Sequence, residues 1–162
     1  MPDASAAAAA QEYLNQCMAD RDSSGGIVEC VITGMPAGVG ETVFDKLDAS
    51  LAKAVFSIGA VKGFEIGSGF EAASMKGSEN NDAFITENGR IAKATNHAGG
   101  ILGGMSDGSP IVFRAAIKPT PSIARPQHTV NVTALLLRSA LKDGTIHYCS
   151  PCSGCGGIHA AL

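Results

Sequence analysis

A lysine and two hydroxyls stand within five residues at Lys118-Pro119-Thr120-Pro121-Ser122. A compact cation beside hydroxyl donors is a set that can hold a phosphate or a polar ring. Just upstream, Asn96 to Gly108 contains five glycines in thirteen residues. Glycine lets the backbone take positive φ and come close to a ligand or to another segment. A run of exposed N–H groups suits an anion or an aromatic ring. His97 opens this run, either lining a pocket or bonding its own loop. A glycine-rich surface loop followed by a proline turn accounts for the same residues equally well. The tail is a second candidate. His147, Cys149, Cys152, Cys155 and His159 contain Cys-x2-Cys-x2-Cys-x3-His, a spacing compatible with zinc or an iron–sulfur cluster. Its ligands are all local, whereas zinc sites generally draw on two separated pairs. The expectation is therefore no metal.

These residues need elements to place them. Ile111 to Ile117 is apolar enough to be a strand that carries the chain from the glycine loop to Lys118. Ile27 to Thr33, rich in β-branched residues, and Val61 to Ile66, which alternates, read as two more. Gly34 to Gly40, with Pro36, breaks the first. Phe44 to Ile58 reads as a helix with Thr42 as its N-cap. Phe44, Leu47, Leu51, Ala54, Val55 and Ile58 form one stripe at spacings of three and four, a core face, and Gly59-Ala60 ends it. Residues 3 to 19 are alanine-rich and predict another helix, capped by Asp3 or Ser5 and packing one edge through Leu14 and Met18. Phe70 to Ser74 reads as one helical turn. Ala83 to Thr86 and Arg90 to Ala94 flank Glu87-Asn88-Gly89, a hairpin signal. Ala134 to Leu141 is a short apolar helix or strand. Short helices alternating with hairpin-linked strands predict an α+β fold, an antiparallel sheet packed on helices.

The strings Asn96-His97-Ala98-Gly99-Gly100-Ile101-Leu102-Gly103-Gly104 and Lys118-Pro119-Thr120-Pro121-Ser122-Ile123 resemble chorismate synthase. The likeness continues through Ser57-Ile58-Gly59-Ala60-Val61-Lys62-Gly63-Phe64-Glu65-Ile66-Gly67-Ser68-Gly69-Phe70 and Gly77-Ser78-Glu79-Asn80-Asn81-Asp82. It also takes in Asp22-Ser23-Ser24-Gly25-Gly26-Ile27-Val28-Glu29, so it spans roughly residues 10 to 130, several motifs in family order. The resemblance implies part of a β-α-β sandwich, with helices between sheets. It implies elimination of phosphate from 5-enolpyruvylshikimate 3-phosphate to give chorismate, with reduced FMN as cofactor, and a homo-oligomer, since the family is tetrameric. Residue by residue, it implies that the backbone at Gly59 and Ala60 and at Gly103 touches FMN. Lys118, Pro119, Thr120, Pro121 and Ser122 would wrap the flavin and its phosphate. No catalytic residue is carried over.

The chain departs from the family in its missing N-terminal portion and at its end. The family's Gly-Glu-Ser-His-Gly type motif, its arginines for the substrate phosphate and its acid–base histidines have no counterpart in this sequence. Where the family has Arg-His-Asp-Pro, this chain has Asp143-Gly144-Thr145-Ile146-His147-Tyr148-Cys149. The expectation is a chorismate synthase-like domain over residues 1–143 and a divergent Cys- and Gly-rich tail over 144–162, of the kind a shifted reading frame produces. Catalysis would be incomplete in this chain alone. The rival readings are a non-catalytic flavin- or phosphate-binding fragment and an inactive truncated product.

Composition narrows the classes further. At 162 residues and 45% hydrophobic content the chain suits one modest domain with one core. With no tryptophan and 5% aromatics, that core rests on Ala, Val, Ile and Leu. A net charge of -3 argues against nucleic acid as a partner. No apolar run approaches the ~20 residues of a membrane helix. No basic region precedes the N-terminal alanines, which argues against a secretory signal. Cys17 and Cys30 stand apart as isolated thiols, which suits a reducing compartment, and the cytoplasm is the expectation.

Overall fold

The computed structural model describes residues 3–87 and 89–130, together with the strand backbone at 136–142, 145–149 and 159–160. It falls into two compact units, one of Gly25–Lys118 and one of Met1–Ser24 with Pro119–Leu162. In chain order the elements are α1 (Ala4–Ala19), β1 (Gly26–Ile32), α2 (Leu47–Phe56), β2 (Val61–Ile66), a short 3-10 helix (Gly69–Ser74) and α3 (Gly77–Asn80). They continue with β3 (Phe84–Glu87), β4 (Arg90–Lys93), β5 (Ile101–Leu102), β6 (Met105–Ser106) and β7 (Ile111–Ile117). The last are β8 (Gln127–Val130), β9 (Leu136–Lys142), β10 (Thr145–Cys149) and β11 (His159–Ala160). Helices and antiparallel sheets are mixed, the α+β class the sequence predicts.

The unit Gly25–Lys118 is built on a three-stranded antiparallel sheet in the order β1-β7-β2. The central strand β7 places Ile32 opposite Ile111 and Glu29 opposite Arg114 on one side, and Val61 opposite Ile117 and Glu65 opposite Arg114 on the other. A bulge between Val61 and Gly63 bends β2. Alternation sorts the faces. Ile111 and Ala115 are buried, as are Val61 and Ile101, and the rings of Phe64 and Phe113 meet at 5.2 Å on the same face. On the opposite face Arg114 pairs with Glu65 at 2.8 Å. β3 pairs with β4, and β5 with β6, as two small hairpins in the same unit.

Helix α2 packs against β2 but is shorter than its apolar stripe predicts. It begins at Leu47 after Lys46, and Thr42 does not cap it. The reason is local. Glu41 N–H donates to Asp45 O, and Val43 sits at φ 76, so residues 41–45 form a turn that a helix cannot pass through. Leu47, Leu51 and Val55 are half-buried. Phe44 and Ile58, at the two ends of the stripe, are 88% and 59% exposed, so they are not core among the described residues.

In the other unit, Asp3 caps α1 as expected, accepting from the Ser5 and Ala6 N–H groups at 2.8 and 3.2 Å. No α1 residue is buried, and Tyr13, Leu14 and Met18 are exposed, so the expected packed edge is not found among the described residues. A four-stranded antiparallel sheet runs in the order β11-β10-β9-β8, which makes Leu136–Lys142 a strand. Of the tail's ligand set, Cys152 and Cys155 lie outside the described residues, and of His147, Cys149 and His159 only the strand backbone is described. No helix among the described residues is long and apolar enough to cross a membrane.

Candidate functional site

After α2 the chain turns through Ser57, Ile58, Gly59 and Ala60 into β2. Ser57 Oγ donates to Ala54 O and Ile58 N–H to Val55 O, which closes the last helical turn. Ala60 then takes φ 70, a left-handed conformation that costs a residue with a Cβ roughly 1–2 kcal/mol. One bond that holds it is external: Lys118 N–H donates to Ala60 O at 2.9 Å. The pairing of Val61 with Ile117 delivers the first residue past β7 to this turn. Gly59, Ala60 and Lys118 are all exposed, and a Cβ on Gly59 would meet nothing within 4 Å. The result is bare backbone facing open space, bonded to the main chain of a lysine.

Gly103 lies elsewhere in the same unit. It forms with Gly104 the turn of the β5–β6 hairpin, at φ 59 and 91, the paired positive angles that a tight hairpin turn demands. Gly104 O accepts from Leu47 N–H at 2.7 Å, so the tip rests on the first residue of α2. A Cβ on Gly104 would lie 2.5 Å from Lys46 Cγ, whereas one on Gly103 would meet nothing within 4 Å. Helix α2 has 10 residues, or about 15 Å. The structure therefore joins Gly59, Ala60 and Lys118 at one end of α2 and sets Gly103 at the other.

Pro119, Thr120, Pro121 and Ser122 are exposed in the other unit. There Thr120 O accepts from Ser23 Oγ at 2.6 Å and Pro121 O accepts from Gln127 Nε2 at 3.1 Å. An Asp22–Arg125 ion pair at 2.9 Å ties the same two stretches together.

Behind the glycine loop lies a buried charged cluster. The side chains of Asp82 and Lys93 are each 4% exposed, and that of Asp107 is 10%. Lys93 Nζ donates to Asp107 Oδ2 and stands 3.7 Å from Asp82 Oδ2. Asp82 also accepts from Thr95 Oγ1 and from the His97 and Ala98 N–H groups, at 2.7 to 2.9 Å. The His97 ring places Nδ1 3.3 Å from Asp82 Oδ1 without a hydrogen bond. Burial pushes the Asp82 carboxyl up, but its N–H and hydroxyl donors and the Lys93 charge pull harder and hold it at about 2. Asp107 is lowered too, against burial, by Lys93 and Ser109.

A family model described as chorismate synthase matches residues 1–147. Chorismate synthase of Lachnoclostridium phytofermentans is 64% identical over 143 residues, covering 88% of this chain and 39% of the relative. That of Agathobacter rectalis is 66% identical over 131 residues, covering 81% and 36%. A crystal structure of a chorismate synthase superposes with a TM-score of 0.69 at 34% identity, covering 74% of this chain and 36% of that one. The chain belongs to the chorismate synthase family. It spans well under half the length of these relatives.

Within the chorismate synthase motif Gly77 to Asp82, the last residue is the one with the densest set of partners, and the motif alone does not reveal it. Lys93 and Asp107 were not legible as site residues either. Lys93 ends a short strand and Asp107 precedes a glycine, and both positions are ordinary for solvated charges. The lowered Asp82 value fixes a pH dependence. A depressed carboxyl contributes stability in full above its ordinary 3.8, and that contribution is lost as pH falls through about 2. The shift is worth about 2 kcal/mol. Urea midpoints of the wild type are expected to drop between about pH 5 and pH 2.5, and those of Asp82→Asn to drop less. Equal slopes for the two would refute the assignment.

Proposed function

We propose that this chain carries the cofactor-binding portion of a chorismate synthase, the shikimate-pathway lyase of aromatic amino acid biosynthesis. Its reaction eliminates phosphate from 5-enolpyruvylshikimate 3-phosphate to give chorismate, with reduced FMN. The observation that carries this reading is the meeting of Gly59 and Ala60 with Lys118. A flat ring can lie on backbone that has no side chain in front of it, and a lysine at a strand end supplies a point charge for a phosphate. The residues fit the cofactor: Gly59 and Ala60 would face the ring, Lys118 would meet the phosphate, and Gly103 offers a second open backbone surface. The family resemblance assigns Pro119 and Pro121 to the wrapping of the flavin, and Thr120 and Ser122 as hydroxyl donors to its phosphate. Reduced FMN, when bound, lends electron density to the elimination, while the protein binds, orients and excludes water.

One observation favours binding without turnover in this chain alone. A substrate phosphate is best clamped by arginines, yet two of the chain's five, Arg114 and Arg125, are already engaged by Glu65 and Asp22. Supplying 5-enolpyruvylshikimate 3-phosphate with reduced FMN and assaying chorismate separates the two. Self-association, as in the family's tetramers, belongs to the same proposal. Ile27, Val28 and Val31 on edge strand β1 are each more than half exposed, and such apolar surface favours association. We place the protein in the cytoplasm, where the free thiols of Cys17 and Cys30 are stable.

The flavin contact has a direct test. Gly59→Val puts bulk into space that is otherwise open. It is expected to weaken FMN binding by about tenfold or more, 1.4 kcal/mol, with no loss of thermal stability. Unchanged affinity would remove Gly59 from the site.

A further inference from the structure

The buried charges have no part in the reading above, yet burying them is costly. A trio of apolar side chains would stabilise the same position as well or better. What the charges do that apolar groups cannot is bind loop backbone. Asp82 takes the N–H groups of His97 and Ala98, Asp107 takes that of Ser109, and Lys93 joins the two carboxylates. Asp107 is tied a second way, because its own N–H donates to Gly100 O and closes the base of the β5–β6 hairpin. Gly100 N–H in turn donates to Asn96 Oδ1. The opposite anchor is the tip, where Gly104 O receives Leu47 N–H. A loop with glycines at 99, 100, 103, 104 and 108 loses more conformational freedom on folding than one of the same length with side chains at those positions. It needs fixed points at both ends if Gly103 is to be presented in one geometry.

We propose that Asp107, gripped by Lys93, is a positioning residue for the Gly103 turn: the ion pair clamps the base of the hairpin and so fixes the backbone that faces the cofactor. This rests on the flavin-binding reading for its ligand, but the clamp can be measured without any ligand.

The test uses the full chain as wild type and as Asp107→Asn. Asparagine keeps an acceptor for Ser109 N–H and loses the charge that Lys93 grips. Hydrogen exchange is followed at the amides of residues 100–107 and of β7, and FMN affinity is titrated in parallel. The clamp predicts that exchange in the hairpin quickens by about tenfold or more while β7 is unchanged, and that FMN affinity falls by a similar factor. A merely structural role would quicken both regions together and leave the affinity of the folded protein unchanged. Hairpin exchange at the wild-type rate, or wild-type affinity with a loosened hairpin, would overturn the proposal. If Asp107→Asn does not fold, Asp107→Glu keeps the charge and displaces the base by one methylene. Its affinity should then fall several-fold with β7 exchange intact, and wild-type affinity would overturn the clamp. If the wild type itself binds no FMN, the flavin reading fails, and the exchange data alone decide the clamp: an unloosened hairpin in the variant refutes it.

Discussion

Replacing Lys93 by methionine is expected to cost about 3–5 kcal/mol of stability, the range for breaking a buried pair by removing one partner. Methionine fills much of the same volume, so packing is a small part of this. The loss comes from the carboxylates left behind. Asp82 and Asp107 are both nearly excluded from water, and their donors hold them in the charged form. Without the ammonium, each is a buried anion, and the two repel one another. The sign of the pH dependence identifies the cause. Protonating either carboxylate relieves the penalty, so the gap between variant and wild type should narrow as pH falls from neutral towards about 3. Urea unfolding at several pH values measures both. A loss below about 1 kcal/mol would mean that the cluster behaves as a solvated surface pair.

Gly67→Ala is expected to be comparably damaging, for a steric reason. Gly67 stands at φ 56 just past β2, with its N–H bonded to Val112 O at 2.9 Å. An added Cβ would lie 2.0 Å from His97 O and 2.5 Å from Gly99 N, both main-chain atoms. Neither can yield without moving the loop, because His97 O already accepts from Ser68 N–H and Gly99 O from Val112 N–H. The left-handed angle alone costs about 1–2 kcal/mol, and overpacking against fixed neighbours typically adds about 1–3 kcal/mol. A total near 3 kcal/mol is therefore expected in the urea midpoint. Gly103→Ala is the control. It has the same hand of φ, but a Cβ there meets nothing within 4 Å, so only the strain of about 1–2 kcal/mol remains. Equal losses for the two would show that the contact between the two backbones is not what selects glycine at 67.

Much of the fold follows from local pattern. β1, β2 and β7 are runs of alternating or β-branched residues, so the strands themselves are local, but β7 lies between two strands far from it in sequence and that order is not local. The hairpin of β3 and β4 follows from an Asn-Gly signal. The start of α2 does not, because periodicity measures spacing and not contact. Phe44 continues the stripe, but the turn from Glu41 to Asp45 and the non-helical Lys46 put the start of the helix at Leu47. For the candidate site, the family motif names Gly59, Ala60 and Lys118, whereas the bond from Lys118 N–H to Ala60 O is the product of sheet register, which no motif states. The charged cluster was invisible for a similar reason. Lys93 and Asp107 are 14 residues apart, joined only by the way two hairpins pack.

The most direct measurement is a titration of the purified chain with FMN under anaerobic, reducing conditions, followed by flavin absorbance and fluorescence, for wild type and Lys118→Ala. Saturable binding that the substitution weakens by about tenfold or more is the predicted result, since it removes the phosphate's cation. Absence of binding by the wild type, or equal binding by both proteins, would contradict the assignment of the Gly59–Ala60–Lys118 surface to the cofactor.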